Sequence, residues 1–172
     1  IGSSQIEIVQ LGRGRFSGDI LHGQIDDIAF SRGRFFLPMR ATGVFSSDKL
    51  VIGILLRCTG ASRSLSEPVV PGDVLIHPAG SEHERLYEGS ANFAGLMCDP
   101  AVLPHVFAAE DEASDPGFWA ERRHFRFAGR RKASLAALLA LLAGRLQQGG
   151  IRTGTAAEYW KRTVLDAFVG QV

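Results

Sequence analysis

The first hundred residues alternate short apolar runs with turn-forming residues. The runs recur at about ten-residue spacing and are bounded by Gly, Pro, Asn, Asp or Ser, which is typical of a β-sandwich or a small barrel. This pattern predicts the following strands: Gln5–Leu11, Phe16–Gln24, Ile25–Ser31, Arg34–Arg40, Lys49–Arg57, Asp73–His77, Glu84–Glu88 and Asn92–Cys98.

After Pro100 the pattern changes from strand-like to helix-like. In the segment Ala133–Gln148, leucines recur at steps of three and four residues, which places them on one face of a helix. Gly149 ends this helix, as a C-terminal glycine should. A capping-box sequence begins a second amphipathic helix, Thr155–Val169. Strands followed by segregated helices predict an α+β fold.

Composition narrows the class of protein without naming an activity. The chain has 172 residues, the length of one domain, and 19 Lys and Arg against 18 Asp and Glu, a net charge of +1. A dedicated nucleic-acid binder normally carries a strong basic bias, so overall charge does not favour DNA binding by these residues. No apolar run approaches the roughly 18 residues of a membrane helix, and no signal-peptide pattern is present. We therefore expect a soluble, cytoplasmic protein without a membrane partner.

One segment carries residues at an informative spacing. Gly72 is followed by Pro78, Gly80 and His83, which resembles the second sequence motif of the cupin superfamily. The motif is a strand entered and left through turns, and the second turn returns His83 towards the barrel interior. The family's closing Asn is Tyr87 here. The resemblance implies a cupin-like β-barrel (jelly-roll) followed by C-terminal amphipathic helices.

A metal site is not expected in this barrel. Metal-binding cupins carry a first motif with His-x-His and a Glu, but this chain has no histidine between Arg32 and Arg57. A stable Zn²⁺ or Fe²⁺ site needs three or four protein ligands, which His83 and His77 cannot supply. We expect no metal and no cofactor, with His83 either contacting a ligand or hydrogen-bonding a neighbouring strand.

A metal-free cupin-like barrel followed by two helices resembles the N-terminal half of AraC/XylS-type transcription regulators. The segment 28–40 is similar to the early strand pair of that family. The resemblance implies that residues 1–100 form a barrel that senses a small-molecule effector, and that residues 101–172 form a helical appendage for dimerisation. DNA binding would then require a C-terminal helix-turn-helix domain that is not present in this chain. The missing initiator Met also suggests a piece of a longer protein.

The interior of a small barrel is mostly apolar with a few converging polar groups. Arg40 is of particular interest, because a guanidinium facing the barrel would favour a carboxylate or phosphate effector. An apolar or aromatic effector held by Phe36 and Phe45 remains an alternative. The predicted effector-binding residues are Phe36, Arg40, Phe45, Ile54, Cys58, His83, Tyr87 and Met97.

The leucine face of the first long helix has two interpretations. It packs on the barrel of its own chain, or it forms an interface with a second copy. We favour a homodimer with an isologous interface, because the stripe is broad and a second amphipathic helix follows it. The predicted interface residues are Leu135, Leu138, Leu142, Leu146, Trp160, Val164 and Phe168.

No catalytic constellation stands out, and we predict that the chain is not an enzyme. There is no Gly-x-Ser-x-Gly elbow, and Cys58 and Cys98 lie in apolar runs typical of buried structural cysteines. The basic stretch Arg122–Lys132 has three interpretations: contact with DNA phosphates in a longer protein, pairing with the acidic cluster Glu110–Asp115, or a solvated surface. Two other functions stay open, a stand-alone cupin-fold enzyme with a single metal and an oligomerisation module with a filled barrel.

Overall fold

The structure, a computed structural model, describes residues 5–108, 111–126, 129–149, 151 and 153–169. The described strands are β1 Gln5–Gln10, β2 Gly18–Ile25, β3 Ile28–Phe35, β4 Met39–Val44, β5 Leu50–Cys58, β6 Ser62–Ser64, β7 Glu67–Pro68, β8 Asp73–His77, β9 Glu82–Tyr87, β10 Ala91–Cys98 and β11 Arg123–Arg126. The helices are α1 Pro116–Ala120, α2 Gly129–Gln147 and α3 Thr155–Val169, with short 3-10 helices at Pro100–His105 and Glu112–Ser114.

The strands form two antiparallel sheets, as expected of a cupin-type β fold. The five-stranded sheet has the order β1-β4-β9-β6-β7, and the six-stranded sheet has the order β11-β8-β5-β10-β3-β2. The prediction of a barrel is wrong in one respect, because the two sheets are not closed into one. Closure requires hydrogen-bonded strands all the way round. The edge strand β7 has only two residues, and one of them, Pro68, has no amide N–H to donate.

The chain passes from one sheet to the other within the segment that the pattern assigned to a single strand, Arg34–Arg40. β3 ends at Phe35 in the six-stranded sheet, and β4 begins at Met39 in the five-stranded sheet. Pro38 lies between them and cannot donate a ladder hydrogen bond, so the strand is interrupted there. As a result Met39 is buried and Arg40 is exposed.

The outer face of the six-stranded sheet is covered by the helices, and we call this layer the helix-side core. Alternate residues of β5 and β8, such as Ile52 and Ile76, belong to the same buried cluster as side chains of α2 and α3. Trp119 of α1 is fully buried in the same layer and donates its indole N–H to the carbonyl of Ala113 at 2.8 Å. The predicted helical appendage therefore shares one core with the sheet and also adds β11 to its edge.

The residues predicted to form a dimer interface lie in this core. Leu135, Leu142, Val164 and Phe168 are buried, and Leu138, Leu146 and Trp160 are partly buried against the same layer. The structure thus shows the first interpretation of the leucine face, packing within the chain. The physical reason is that the outer face of the sheet is itself apolar and must be covered.

An ion pair joins α3 to the six-stranded sheet. The ammonium of the buried Lys161 lies 2.6 Å from Asp27 and 3.4 Å from Asp26, in the turn between β2 and β3. Although burial lowers the pKa of Lys161, the hydrogen bonds that its ammonium donates to the two carboxylates raise it overall, so the lysine stays charged. None of the helices in the described part of the chain is long and apolar enough to cross a membrane.

Candidate ligand site between the sheets

The two sheets face each other across a second interior, which we call the inter-sheet interior. One end of it is apolar and contains side chains from both sheets, such as Leu75 of β8 and Met39 of β4. The members of this apolar end are Phe35, Met39, Leu55, Cys58, Val69, Leu75, Tyr87, Ala91 and Phe93. It closes the space between the sheets by hydrophobic burial.

The other end of the inter-sheet interior is polar. His77 ends β8 of the six-stranded sheet, and His83 and Arg85 lie on β9 of the five-stranded sheet. Their exposed fractions are 3%, 7% and 4% respectively. The two imidazole rings meet edge to face with centroids 5.0 Å apart, and the ring of Phe45 lies 4.1 Å from that of His83. The polar end therefore joins side chains from both sheets.

Strand register adds two serines to this polar end. On β6, Ser64 pairs directly with Arg85, and Ser62 pairs with Tyr87. Directly paired residues on antiparallel strands point to the same side of the sheet, and both serines are buried. The guanidinium of Arg85 lies 5.6 Å from the centre of the Tyr87 ring. One wall of the interior is thus a patch of hydroxyl, guanidinium and aromatic groups.

Several polar atoms in this cluster have no hydrogen-bond partner among the described residues. They are Ser62 Oγ, Ser64 Oγ, His77 Nδ1, His83 Nδ1, Arg85 Nε and Arg85 Nη1. Buried polar groups in proteins are nearly always hydrogen-bonded, and an unpaired one costs free energy. Unused hydrogen-bonding capacity is therefore concentrated at one place between the sheets.

The electrostatic environment of this cluster is positive. Burial, together with repulsion from His83, Arg122 and Arg85, lowers the pKa of His77 to about 2. Burial lowers the pKa of His83 to about 3, with Arg85 and Arg122 contributing in the same direction. Both imidazoles are therefore neutral at pH 7, and the charged groups that act on them, Arg85 and Arg122, are cationic. Such an environment favours an anion over a cation.

The structure brings together three of the predicted effector-binding residues at this cluster. Phe45, His83 and Tyr87 surround it, as the distances above show. Cys58 belongs to the apolar end of the same interior. Met97 is half-buried on the same face of the six-stranded sheet, since it pairs with Val51, which in turn pairs with His77.

The other three predicted residues lie elsewhere. Ile54 faces the opposite side of the six-stranded sheet and belongs to the helix-side core. Phe36 lies in the turn between the two sheets with 49% of its surface exposed. Arg40 is exposed and pairs with Glu84 at 2.6 Å. Ile54 faces outward because alternation along β5 turns the next residue, Leu55, inward. Phe36 and Arg40 do not line the inter-sheet interior because the interruption at Pro38 changes which residues of that segment face inward.

Arg85 is the residue that the sequence interpretation missed. It has the role that was predicted for Arg40, an inward-facing guanidinium, and it lies on the neighbouring strand, where Ala41 pairs with it. A signal was present: His83, Arg85 and Tyr87 are separated by steps of two, which places them on one face of a strand.

The basic stretch Arg122–Lys132 has partners other than the acidic cluster. Arg126 donates to the buried carboxylate of Asp73 at 2.8 Å, and the guanidinium of Arg123 lies 4.1 Å from the centre of the Phe118 ring. Arg122 donates to the main-chain carbonyl of Glu82. These contacts tie β11 and its flanks to the sheets. Glu110 and Phe127 lie outside the described residues.

Asp73 is a buried charge with a full set of partners. Besides Arg126, its carboxylate lies 2.8 Å from His124 Nε2 and accepts a hydrogen bond from the amide of Val70 at 2.8 Å. Burial alone would raise the pKa of Asp73, but these hydrogen bonds lower it below its usual 3.8. The carboxylate is thus ionised and satisfied, in contrast to Arg85.

Other chemistry is limited in the part of the chain that the structure describes. There, no three His, Cys, Asp or Glu side chains are grouped so that they could hold a metal ion. Both cysteines are free thiols. Cys98 is buried, and burial raises its pKa to about 12, so it stays protonated and unreactive at neutral pH.

Comparison with known proteins finds solved structures with a similar fold. No protein-family profile matches the chain, and no curated protein matches its sequence. Among solved structures, the AraC-like transcriptional activator CuxR is similar with a TM-score of 0.66 and 12% identity, over 97% of this chain and 62% of that chain. An RmlC-like cupin protein from Desulfovibrio desulfuricans overlaps 49% of this chain and 82% of its own, with a TM-score of 0.38 and 16% identity. A Cupin 2 conserved barrel domain protein from Salinispora arenicola overlaps 60% of this chain and 83% of its own, with a TM-score of 0.37 and 13% identity.

The likeness to CuxR extends over nearly the whole chain, sheets and helices together. At 12% identity it shows a shared fold, and the chain spans 62% of the length of that activator. The predicted resemblance to AraC-type regulators is therefore confirmed at the level of the fold.

Proposed function

We propose that this chain is the effector-sensing and dimerisation part of a bacterial transcription regulator. The observation that carries the proposal is the buried cluster of His77, His83 and Arg85 between the two sheets, in which several polar atoms have no hydrogen-bond partner among the described residues. The fold shared with an AraC-like transcriptional activator supports this function. A DNA-binding domain outside these residues would supply the output.

The position of the cluster suggests how a ligand would act. A molecule bound there would contact His77 on the six-stranded sheet and Arg85 on the five-stranded sheet, and so hold the two sheets together. On β8, Ile76 is next to His77 and packs into the helix-side core. β8 thus shares one core with α2 and α3, through which a change in β8 would act on the helices. A ligand that binds one arrangement better than another shifts the population towards it, by no more than its difference in affinity.

Dimerisation would use the outward faces of the helices, because their inward faces are buried in the chain itself. Leu141 of α2 is 54% exposed and Tyr159 of α3 is 66% exposed. Apolar side chains so placed are available to a second copy in an isologous contact.

Sedimentation equilibrium at tens of micromolar protein tests the dimer. We expect a dimer that is weakened by Leu141→Glu or Tyr159→Glu and unchanged by Ile8→Glu, which alters an exposed apolar residue on β1, away from the helices. A monomer in the unmodified protein would contradict dimerisation.

A thermal-shift screen with small acids, sugars and aromatic compounds tests sensing. We expect one class to raise the melting temperature and to change the dimer dissociation constant. Stabilisation by no class would contradict the sensing function. Stoichiometric Fe, Mn, Zn or Ni in the purified protein would favour a metal-dependent cupin enzyme.

A further inference from the structure

Three charged residues other than histidine are buried in the described part of the chain: Asp73, Arg85 and Lys161. They differ in whether an opposite charge is paired with them. Asp73 is paired with Arg126 and His124, and Lys161 is paired with Asp26 and Asp27. No carboxylate among the described residues pairs with Arg85. An unpaired buried charge is strongly unfavourable, which points to a missing counterion at Arg85.

We propose that the polar end of the inter-sheet interior binds a monocarboxylate, with Arg85 as its counterion and Ser64, His77 and His83 as hydrogen-bond partners. This names the class of the effector and so rests on the proposed function for its biological meaning. The binding itself can be tested without it.

The geometry of the free atoms suits a carboxylate. Arg85 offers Nε and Nη1, both unpartnered, from a planar guanidinium whose donors match a pair of carboxylate oxygens. Ser64 is opposite Arg85 on β6, so its hydroxyl can donate from the same wall. A neutral imidazole has one N–H donor, and both His77 and His83 have an unpartnered ring nitrogen. Both sheets therefore offer donors to the inter-sheet interior.

The charge favours a carboxylate over a phosphate. Arg85 supplies one buried positive charge, and both histidines are neutral at pH 7. A carboxylate carries one negative charge, so the pair is neutral, whereas a phosphate monoester at pH 7 brings nearly two. The rings of Phe45 and Tyr87 beside the cluster would contact an apolar body attached to the carboxylate.

The experiment is isothermal titration of the 172-residue protein with acetate and benzoate, and with acetamide and benzamide as neutral isosteres. We expect at least one carboxylate to bind in the millimolar range or tighter, with its amide weaker by about tenfold or more, as for a lost charge-assisted hydrogen bond. Inorganic phosphate is the third arm and is expected to bind more weakly than the carboxylate.

Arg85→Met should abolish the preference for carboxylate over amide while leaving the melting temperature of the ligand-free protein unchanged or higher, because it removes an unpaired buried charge. A purely structural arginine would instead lower the melting temperature. Arg63→Met, on the outer face of β6, is the matched control and should bind like the unmodified protein. If Arg85→Met does not fold, Arg85→Lys keeps the charge without the planar pair of donors and should bind at least several-fold more weakly.

Several outcomes would overturn the inference: no binding of acetate or benzoate, equal binding of amide and acid, undiminished binding by Arg85→Met, or tighter binding of phosphate. The proposed function can fail separately. Carboxylate binding through Arg85 that leaves the dimer dissociation constant unchanged supports this inference and contradicts sensing by this site. A neutral sugar that changes the dimer in both the unmodified protein and Arg85→Met supports sensing and overturns the carboxylate.

Discussion

The two faces of the six-stranded sheet bury very different kinds of side chain. On the outer face, the helix-side core is built from aliphatic and aromatic side chains, and the indole N–H of the fully buried Trp119 has an acceptor. On the inner face, the inter-sheet interior is apolar at one end and holds Arg85, His77 and His83 at the other, with unpartnered atoms.

This difference separates the region that stabilises the fold from the region that is available for binding. An apolar core gains free energy from every side chain that it buries, whereas buried polar atoms without partners lose it. A fold tolerates such a loss where another molecule can provide the partners. The outer face therefore holds the fold together, and the polar end of the inner face is available for a ligand.

The largest effect should come from the helix-side core. Trp119→Ala removes a fully buried ring in contact with Phe118, with ring centroids 4.9 Å apart, and should lower the free energy of unfolding by about 3–5 kcal/mol. Urea denaturation followed by circular dichroism measures it. Ile8→Ala, an exposed position on β1, should change stability by no more than about 0.5 kcal/mol. Similar losses in the two variants would contradict the assignment of this core.

The next effect is a dependence of stability on pH that comes from the inter-sheet interior. In the folded protein the pKa of His77 is about 2 and that of His83 about 3, whereas unfolded histidines titrate near 6.5. Between these values the unfolded state binds more protons, so stability is greatest above pH 6.5 and falls as the pH drops. Each histidine contributes up to about 1.4 kcal/mol per pH unit, so a loss of roughly 2 kcal/mol is expected between pH 7 and pH 5.5.

Denaturation at a series of pH values checks this dependence. His77→Phe should reduce the slope by about half, because one of the two histidines no longer titrates. His105→Gln, at an exposed position after β10, should leave the slope unchanged. A slope equal in all three proteins would show that the buried histidines do not govern it.

A smaller effect distinguishes a satisfied buried serine from an unsatisfied one. Ser46 Oγ donates to Asp48 Oδ1 at 2.7 Å and accepts from the amide of Lys49 at 3.2 Å, whereas Ser64 Oγ has no partner in the part of the chain that the structure describes. Ser46→Ala should cost about 1 kcal/mol, and Ser64→Ala should be neutral or stabilising without ligand. Denaturation midpoints of the two variants, measured side by side, test this difference. A larger loss of stability in Ser64→Ala than in Ser46→Ala would mean that the Ser64 hydroxyl already has a partner.

The smallest effect is expected at the surface. Arg40 and Glu84 form an ion pair with exposed side chains, so Arg40→Met should change stability by about 0–1 kcal/mol. The same variant tests the original prediction that Arg40 binds the effector. Titration of Arg40→Met with benzoate should show an affinity close to that of the unmodified protein. A large loss of affinity would mean that Arg40 contacts the ligand.

Parts of the site were predictable from local pattern, and parts were not. His83 was found from the spacing of Gly72, Pro78 and Gly80, which requires no knowledge of the other strands. Arg85 follows from alternation only once the face of β9 that points inward is known. His77 approaches His83 because β8 and β9 belong to different sheets that face each other, and the five residues between the two histidines do not determine that approach.

The helices show the same division. The amphipathic periodicity of α2 and α3 is a local property, so their existence and apolar faces could be predicted from the chain. The surface that packs against those faces could not be predicted, since an apolar stripe packs equally well on its own sheet or on a second copy. The structure assigns it to the chain's own sheet, because the outer faces of β5, β8 and β10 present a matching apolar surface.

The sequence by itself determined the order of strands and helices, the turn motif that ends in His83 and the division into an early sheet region and a late helical region. These depend on spacing along the chain, which sequence records directly. Only the tertiary structure decided that the sheets stay open, that the leucines are internal and that the inward guanidinium is Arg85. Each of these depends on register and on which faces meet across the fold, where a change of one residue reverses the side on which a group lies.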